Sequence, residues 1–363
     1  MNRREFTSSR KLDHLRICLD EHIESGSTGF DDIRLVHEAL PDCDMDRLSL
    51  ETRFLGHNLG SPLFISAMTG GHPETKDVNA VLGEIAGEFD LGIGVGSQRA
   101  AIENPELADT FSIVREKAPD TFIVGNLGIV QLRDHGIEWA ERAVEMIDAD
   151  ALAIHLNFLQ EAIQPEGDHD AGGCYAALRE LCRDLKVPVI VKETGSGISY
   201  ETGIRCFGAG AACVDIGGYG GSSWALIESH RSGSVAGKED LHLKGLGERF
   251  GEWGLPTVVS LYETTRCGGP VIASGGIRSG IDITKALVMG AHLAGMALPL
   301  LKPACEGPDV LRETIRTIHQ ELRISMFLTG KTRISELPQA RWYLTGKTRE
   351  MIENLPGGDR IGH

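Results

Sequence analysis

Lys192 stands inside an otherwise apolar run, VPVIVKET, where a lysine is costly unless an anion or a cofactor meets it. Three uses are open to it: a structural salt bridge, a Schiff-base lysine of the aldolase kind, or contact with an electron-rich cofactor ring. A second group of polar residues, His155, Asn157, Gln160 and Glu161, is concentrated in HLNFLQEAIQPEGD. One carboxylate beside an amide cannot cage a metal alone, but magnesium commonly takes a single carboxylate and completes its shell with water and phosphate oxygens. His155 has three possible roles: general base, phosphate ligand or buried hydrogen-bonding residue. A third group is glycine-rich: SGGIRSG (Ser274–Gly280), then GMA (Gly295–Ala297). Gly275 and Gly276 let backbone N–H groups approach an anion closely, and Arg278 adds a cation. Near the amino end, Arg10 and Lys11 lie side by side in SRKLDHL. They read as a solvated face or, if the segment folds over a site, as charge for a diphosphate in the same or a neighbouring subunit.

Eight short apolar runs can position these residues: Leu63–Gly70, Leu91–Gly96, Thr121–Gly128, Ala151–Asn157, Pro188–Thr194, Cys213–Gly220, Pro270–Ile277 and Leu293–Leu300. They are near-continuous rather than alternating, as strands buried on both faces are, and most precede a helical pattern. The expected fold is a (β/α)₈ barrel, which places chemistry at the carboxyl ends of its strands. Met68, Thr69, Ser97, Gln98, Arg99, Asn126, His155, Asn157, Gln160, Glu161 and Lys192 all fall at or just beyond such an end. Helices are expected near Leu12–Ile23, Ile137–Ile147, Cys174–Leu185, Glu201–Phe207, Asp282–Met289 and Val310–Leu328. Residues 1–60 read as an extension, 61–301 as the barrel and 302–363 as a helical segment, together one domain. About fifty residues separate the sixth and seventh runs, including SHRSGSVAGKEDLHLKGLGERFGEWG, too polar and glycine-rich for core and expected to form a lid or mobile loop. LTGKTR occurs at Leu328–Arg333 and Leu344–Arg349, and a glycine ending a helix beside basic residues explains both copies.

The 363 residues carry 52 acidic against 36 basic side chains, a net charge of −16, which repels nucleic acid and anionic membranes. An anionic ligand must therefore find a local positive pocket. Eight cysteines without zinc spacing point to reduced thiols in the cytoplasm, with no disulfide. No apolar stretch approaches the roughly 20 residues that span a bilayer. Histidines other than His155 are expected at the surface.

Taken together, RKLDH (Arg10–His14), AMTGG (Ala67–Gly71), GVGSQR (Gly94–Arg99), GNLG (Gly125–Gly128), HLNFLQEAIQPEGD (His155–Asp168), VKETGSGIS (Val191–Ser199), GGYGGSSW (Gly217–Trp224) and SGGIRSG resemble type-2 isopentenyl-diphosphate isomerases over most of the chain. The resemblance implies FMN, active when reduced, magnesium, and NADPH or another reductant. It implies that Ala67, Met68, Thr69, Ser97, Asn126, Lys192, Ser222, Gly275, Gly276, Arg278, Met296 and Ala297 hold FMN. Arg10, Lys11, Ser97, Gln98, Arg99, His155, Asn157 and Gln160 would meet the diphosphate substrate, Glu161 the magnesium, and Gln160 and Lys192 the chemistry. Ser222 stands where the family often has threonine, and the hydroxyl is kept. Family members often form tetramers or octamers. The rival readings are a net redox flavoenzyme on the same barrel, such as a 2-hydroxy-acid oxidase, and a non-catalytic flavin-binding barrel. A nucleotide dehydrogenase would want a cysteine in GGYGGSSW, which has none.

Overall fold

The computed structural model describes residues 3–232 and 241–356. Three short strands come first: β1 (Ile33–Leu35), β2 (Thr52–Phe54) and β3 (His57–Leu59). Eight parallel strands then close a barrel in chain order: β4 (Leu63–Ile65), β5 (Gly92–Gly94), β6 (Ile123–Gly128), β7 (Ala151–Leu156), β8 (Val189–Glu193), β9 (Cys213–Asp215), β10 (Val271–Ser274) and β11 (Leu293–Met296). Each lies inside one of the eight runs. The runs overshoot because their trailing glycines and polar residues form the loops of the mouth.

Alternating side chains divide the strands into two faces. Phe64, Phe122, Val124, Ala153, Ile190, Ile272 and Leu293 cluster together in the barrel, with Phe54 and Leu59 of the β2–β3 hairpin against them. The hairpin thus plugs the amino-terminal end of the cylinder, and the Phe54 and Phe122 rings meet edge to face at 5.8 Å. A side chain on Gly92 would lie 2.9 Å from the Phe64 ring, so that strand takes glycine where its neighbour is bulky. The opposite faces pack Ile65, Ile93, Ile123 and Val271, or Leu152, Ile154, Val189 and Val191, against the surrounding helices.

The expected helices form at Ile137–Ile147, Cys174–Asp184, Tyr200–Gly208, Gly280–Val288 and Pro308–Leu328. The amino-terminal helix is displaced from its expected span and runs Arg3–Asp20. Three further expectations need correction. First, the long connection after β9 is not a structureless loop: it contains helices Trp224–Ser232 and Leu241–Arg249, while 233–240 lie outside the described residues. Arg231 in its polar SHRSGS stretch is only 2% exposed, because two carboxylates neutralise it. Second, the residues after 302 are not purely helical. Strand β12 (Trp342–Leu344) pairs antiparallel with β1, joining the carboxyl-terminal segment to the extension.

Third, the two LTGKTR copies differ. In the first, Gly330 follows the helix Pro308–Leu328 at φ 67°, as a helix-ending glycine does. In the second, Leu344 ends a strand and Gly346, at φ 62°, opens the helix Gly346–Glu353. Asp32 of the extension holds that opening turn by accepting from the Thr348 N–H at 3.0 Å and hydroxyl at 2.6 Å.

Candidate active site

The carboxyl ends of the barrel strands open into one shared cavity. Ala67, Met68 and Thr69 reach it from the loop after β4, Ser97 and Arg99 after β5, Asn126 from β6 and His155 from β7. Asn157, Gln160 and Glu161 follow on a one-and-a-half-turn helix, and Lys192 stands on β8. Ser222, the trio Gly275, Gly276 and Arg278, and Ala297 come from the loops after β9, β10 and β11. Arg10 and Lys11 reach the same cavity from the helix Arg3–Asp20 of the same chain.

Two expected residues face elsewhere. Gln98 is fully buried: its Nε2 donates to the Ala143 carbonyl at 2.8 Å and its Oε1 accepts from the Asn126 N–H at 2.8 Å. It clamps the loop after β5 onto β6. Met296 is 1% exposed and packs in the apolar shell, because strand alternation turns it away when Gly295 faces the mouth.

A polar belt floors the cavity. The Asn126 Nδ2 donates to the Val95 carbonyl at 3.0 Å, which orients the amide so that its Oδ1 accepts from His155 Nδ1 at 2.7 Å. Burial, with the Lys11 and Lys192 charges added, pushes the His155 imidazole down to about 3. The ring is therefore neutral, its one proton sits on Nδ1, and Nε2 is an acceptor. As an anion ligand His155 would first have to gain a proton. Further round, Lys192 Nζ donates to Asp215 Oδ2 at 2.8 Å, and the Ser274 hydroxyl donates to Asp215 Oδ1. The lysine thus both makes a buried salt bridge and faces the cavity.

The wall nearest the extension carries a network that the sequence reading missed. Glu228, 1% exposed, accepts from Gln160 Nε2 at 2.8 Å and His14 Nε2 at 3.0 Å through one oxygen, and from Arg231 Nε at 2.6 Å through the other. Burial alone would raise this carboxyl, but the Arg231 charge and the hydrogen bonds from His14 and Gln160 outweigh it and hold it below its ordinary value. Burial keeps His14 below its ordinary value, so a neutral ring donates Nε2–H to a carboxylate. His14 also meets the Trp224 ring edge to face at 5.1 Å, so it is no surface histidine. Its sequence signals were its place in RKLDH and the spacing from Arg10, since residues four apart share a helix face. Nothing in the sequence pairs Glu228 with a residue 214 positions away.

Above this network lie Arg10, Lys11 and Arg99. Burial, reinforced by Arg10 and Arg99, lowers the Lys11 ammonium to about 7. Arg10 shares Glu166 with Arg231 and Arg99 pairs with Glu103 at 2.9 Å, while the buried Arg10 Nε has no hydrogen-bond partner among the described residues. Arg278 holds Glu24 of the extension.

The residues fit a flat ring bearing a phosphate. The buried Ser66 hydroxyl on the cavity wall has no hydrogen-bond partner among the described residues. At Gly275 (φ 103°) and Gly276 (φ 70°), a Cβ would fall 2.1 Å from the Gly218 carbonyl and 2.5 Å from that of Gly220. Only glycine lets these two loops approach so closely. Glu161 accepts from Asn157 at 3.0 Å and from the Asp168 N–H at 2.9 Å, and no cluster of three metal-binding side chains occurs among the described residues. A lone carboxylate of this kind could serve only an ion that takes the rest of its shell from water and phosphate oxygens.

The FMN-dependent dehydrogenase family profile matches residues 141–344 of this closed parallel barrel. Among solved structures, a mandelate oxidase mutant with a monooxide FMN adduct superposes with a TM-score of 0.62 at 16% identity, covering 95% of this chain and 100% of that one. A flavocytochrome b2 variant with sulfite bound gives 0.66 at 20% identity, covering 97% and 88%. These show the shared fold. An isopentenyl-diphosphate delta-isomerase of Methanoregula boonei is 62% identical over 97% of this chain and 98% of its own length. That of Archaeoglobus fulgidus is 49% identical over 96% and 99%. The chain belongs to the isopentenyl-diphosphate delta-isomerase family.

Proposed function

We propose that this protein interconverts isopentenyl and dimethylallyl diphosphates, with reduced FMN and magnesium in the mouth of the barrel and NADPH as reductant. The observation that carries this reading is the cavity itself, where a cationic trio, a lone carboxylate and an amide wired to a buried acid converge on a phosphate cradle. Moving the double bond requires a proton to arrive at the terminal carbon and another to leave the carbon nearer the diphosphate, with no net oxidation. Reduced FMN, when bound, supplies a nitrogen acid/base pair for that exchange.

The protein's own residues supply charge, orientation and a dry site. Gly275, Gly276 and Ala297 would hold the FMN phosphate, with Arg278 beside it. Ala67, Met68, Thr69, Ser97, Asn126, Lys192 and Ser222 would hold the rest of the cofactor, and Met296 could serve only through its backbone. Arg10, Lys11 and Arg99 neutralise the diphosphate, and Glu161 contributes to a magnesium shell completed by that diphosphate and water. Asn157 donates to Gln160 Oε1 at 3.2 Å while Gln160 donates to Glu228, so the amide is held from both ends. A neutral amide is no strong acid, and its role is to hold a proton path in line. Fixing substrate beside its acid can contribute up to roughly 7–11 kcal/mol.

No described helix is long and apolar enough to cross a membrane. The reading includes one domain, a cytoplasmic location and a tetramer or octamer, for which light scattering of the purified protein is the test of assembly. Activity is tested with isopentenyl diphosphate, magnesium and FMN under reducing and oxidising conditions. Turnover only when the flavin is reduced supports the proposal; equal turnover with flavin oxidised or removed refutes it. Flavin re-oxidation coupled to turnover of a 2-hydroxy acid would favour the redox rival.

A further inference from the structure

Lys192 owes its setting to a residue from the adjoining strand. Asp215, 2% exposed, spends Oδ2 on the ammonium and Oδ1 on Ser274, whose Oγ in turn accepts from the Gly217 N–H at 3.1 Å. The carboxylate therefore has fixed partners on both sides, and it lies beneath the cavity rather than in it: Lys192 and Ser274 line the mouth and Asp215 does not. We propose that Asp215 is a positioning residue that aims Lys192 into the cavity and offsets the charge it presents to a bound flavin. This rests on the part of the proposed function that seats FMN above Lys192, and not on the identity of the substrate.

The argument is electrostatic. The Lys192 ammonium lies 2.8 Å from the Asp215 carboxylate, close enough for the two charges to offset one another. The other ionisable groups near it do not replace Asp215. His155 on the preceding strand is neutral, and Glu193, which burial raises to about 7, is turned to the N–H groups of Gly195, Ser196 and Gly197. Paired with Asp215, Lys192 presents a dipole to the cavity instead of a full positive charge. A bare ammonium would hold a reduced flavin firmly in its anionic form and make it a poor base. A group that must both give and take back a proton is better matched by the weaker field.

The test compares FMN-loaded wild type with Asp215→Asn, measuring flavin reduction against a reference dye from pH 6 to 9. At pH 6 the variant should favour reduced flavin by roughly tenfold or more in the equilibrium constant, since one buried charge is no longer offset. Both curves share the titrations of Lys11 and Glu193, each near pH 7, so the separation between them reads Asp215. Superimposable curves would overturn the proposal. If Asp215→Asn does not fold, Ser274→Ala carries the test. Removing a donor from the carboxylate strengthens its hold on Lys192, so the equilibrium should move toward oxidised flavin, and no movement overturns the proposal. A wild-type protein that takes up no FMN overturns this proposal and the cofactor reading together. One that binds FMN and shows the predicted shift but does not isomerise the diphosphate overturns only the substrate reading.

Discussion

Lys11 carries the clearest pH signature of the site. Its ammonium is held near pH 7 by burial and by two neighbouring guanidiniums, so in the free protein it loses its charge as pH rises above that value. Diphosphate binding should then weaken: KM for isopentenyl diphosphate is expected to climb between pH 7 and 9, by up to about tenfold per unit. Lys11→Arg, whose charge does not titrate, should flatten that limb in a KM–pH series. Glu228 offers a second test. Glu228→Gln keeps the shape but leaves Arg231 with one carboxylate fewer and loosens Gln160, so kcat should fall by about 100-fold in single-turnover assays. An unchanged kcat in a folded variant would place the network outside the chemistry.

At the scale of elements, the paired LTGKTR segments give a contrast independent of the active site. Both glycines have positive φ, which costs alanine roughly 1–2 kcal/mol. A Cβ on Gly330 would meet Glu38 no closer than 3.4 Å, whereas one on Gly346 would lie 2.1 Å from the Asp32 carboxylate that caps the following helix. Gly330→Ala should therefore cost only the backbone strain, and Gly346→Ala about twice as much in urea unfolding. The same six letters end one helix and open another because a neighbouring element, not the segment, decides. In the first copy a 21-residue helix arrives from the left; in the second a three-residue strand does, paired to β1.

For the whole molecule, the extension both lines the cavity with the barrel and pairs through β1 with the carboxyl-terminal strand β12. FMN binding should therefore raise the melting temperature of the entire chain in one transition, with a gain of about 2.7 kcal/mol at 100 times Kd. Two separated transitions, only one responding to FMN, would show that the extension folds apart. Removing divalent metal with a chelator should abolish turnover yet leave that FMN-induced shift intact, because Glu161 follows β7 whereas the glycine pair follows β10.

The barrel was legible because each strand is a local apolar run ended by its own loop residues, and because strand ends in this fold all point to one mouth. Asn126, His155 and Lys192 could be named from their positions in those runs, and Gln160 from lying just beyond one. Gln98 and Met296 were misplaced because residue type and position near a strand end do not say which way a side chain turns; alternation along the strand and a buried carbonyl on Ala143 settled that. The acidic and basic partners Glu228, His14 and Asp215 are distant in sequence from the residues they serve, and charge pairing across such separations exists only once the chain has closed into a cylinder. Local pattern thus determined the elements and the order of the ring. Which hydroxyls, carboxylates and imidazoles meet across it, and in which protonation state, was decided by tertiary packing, since burial and proximity are properties no single segment possesses.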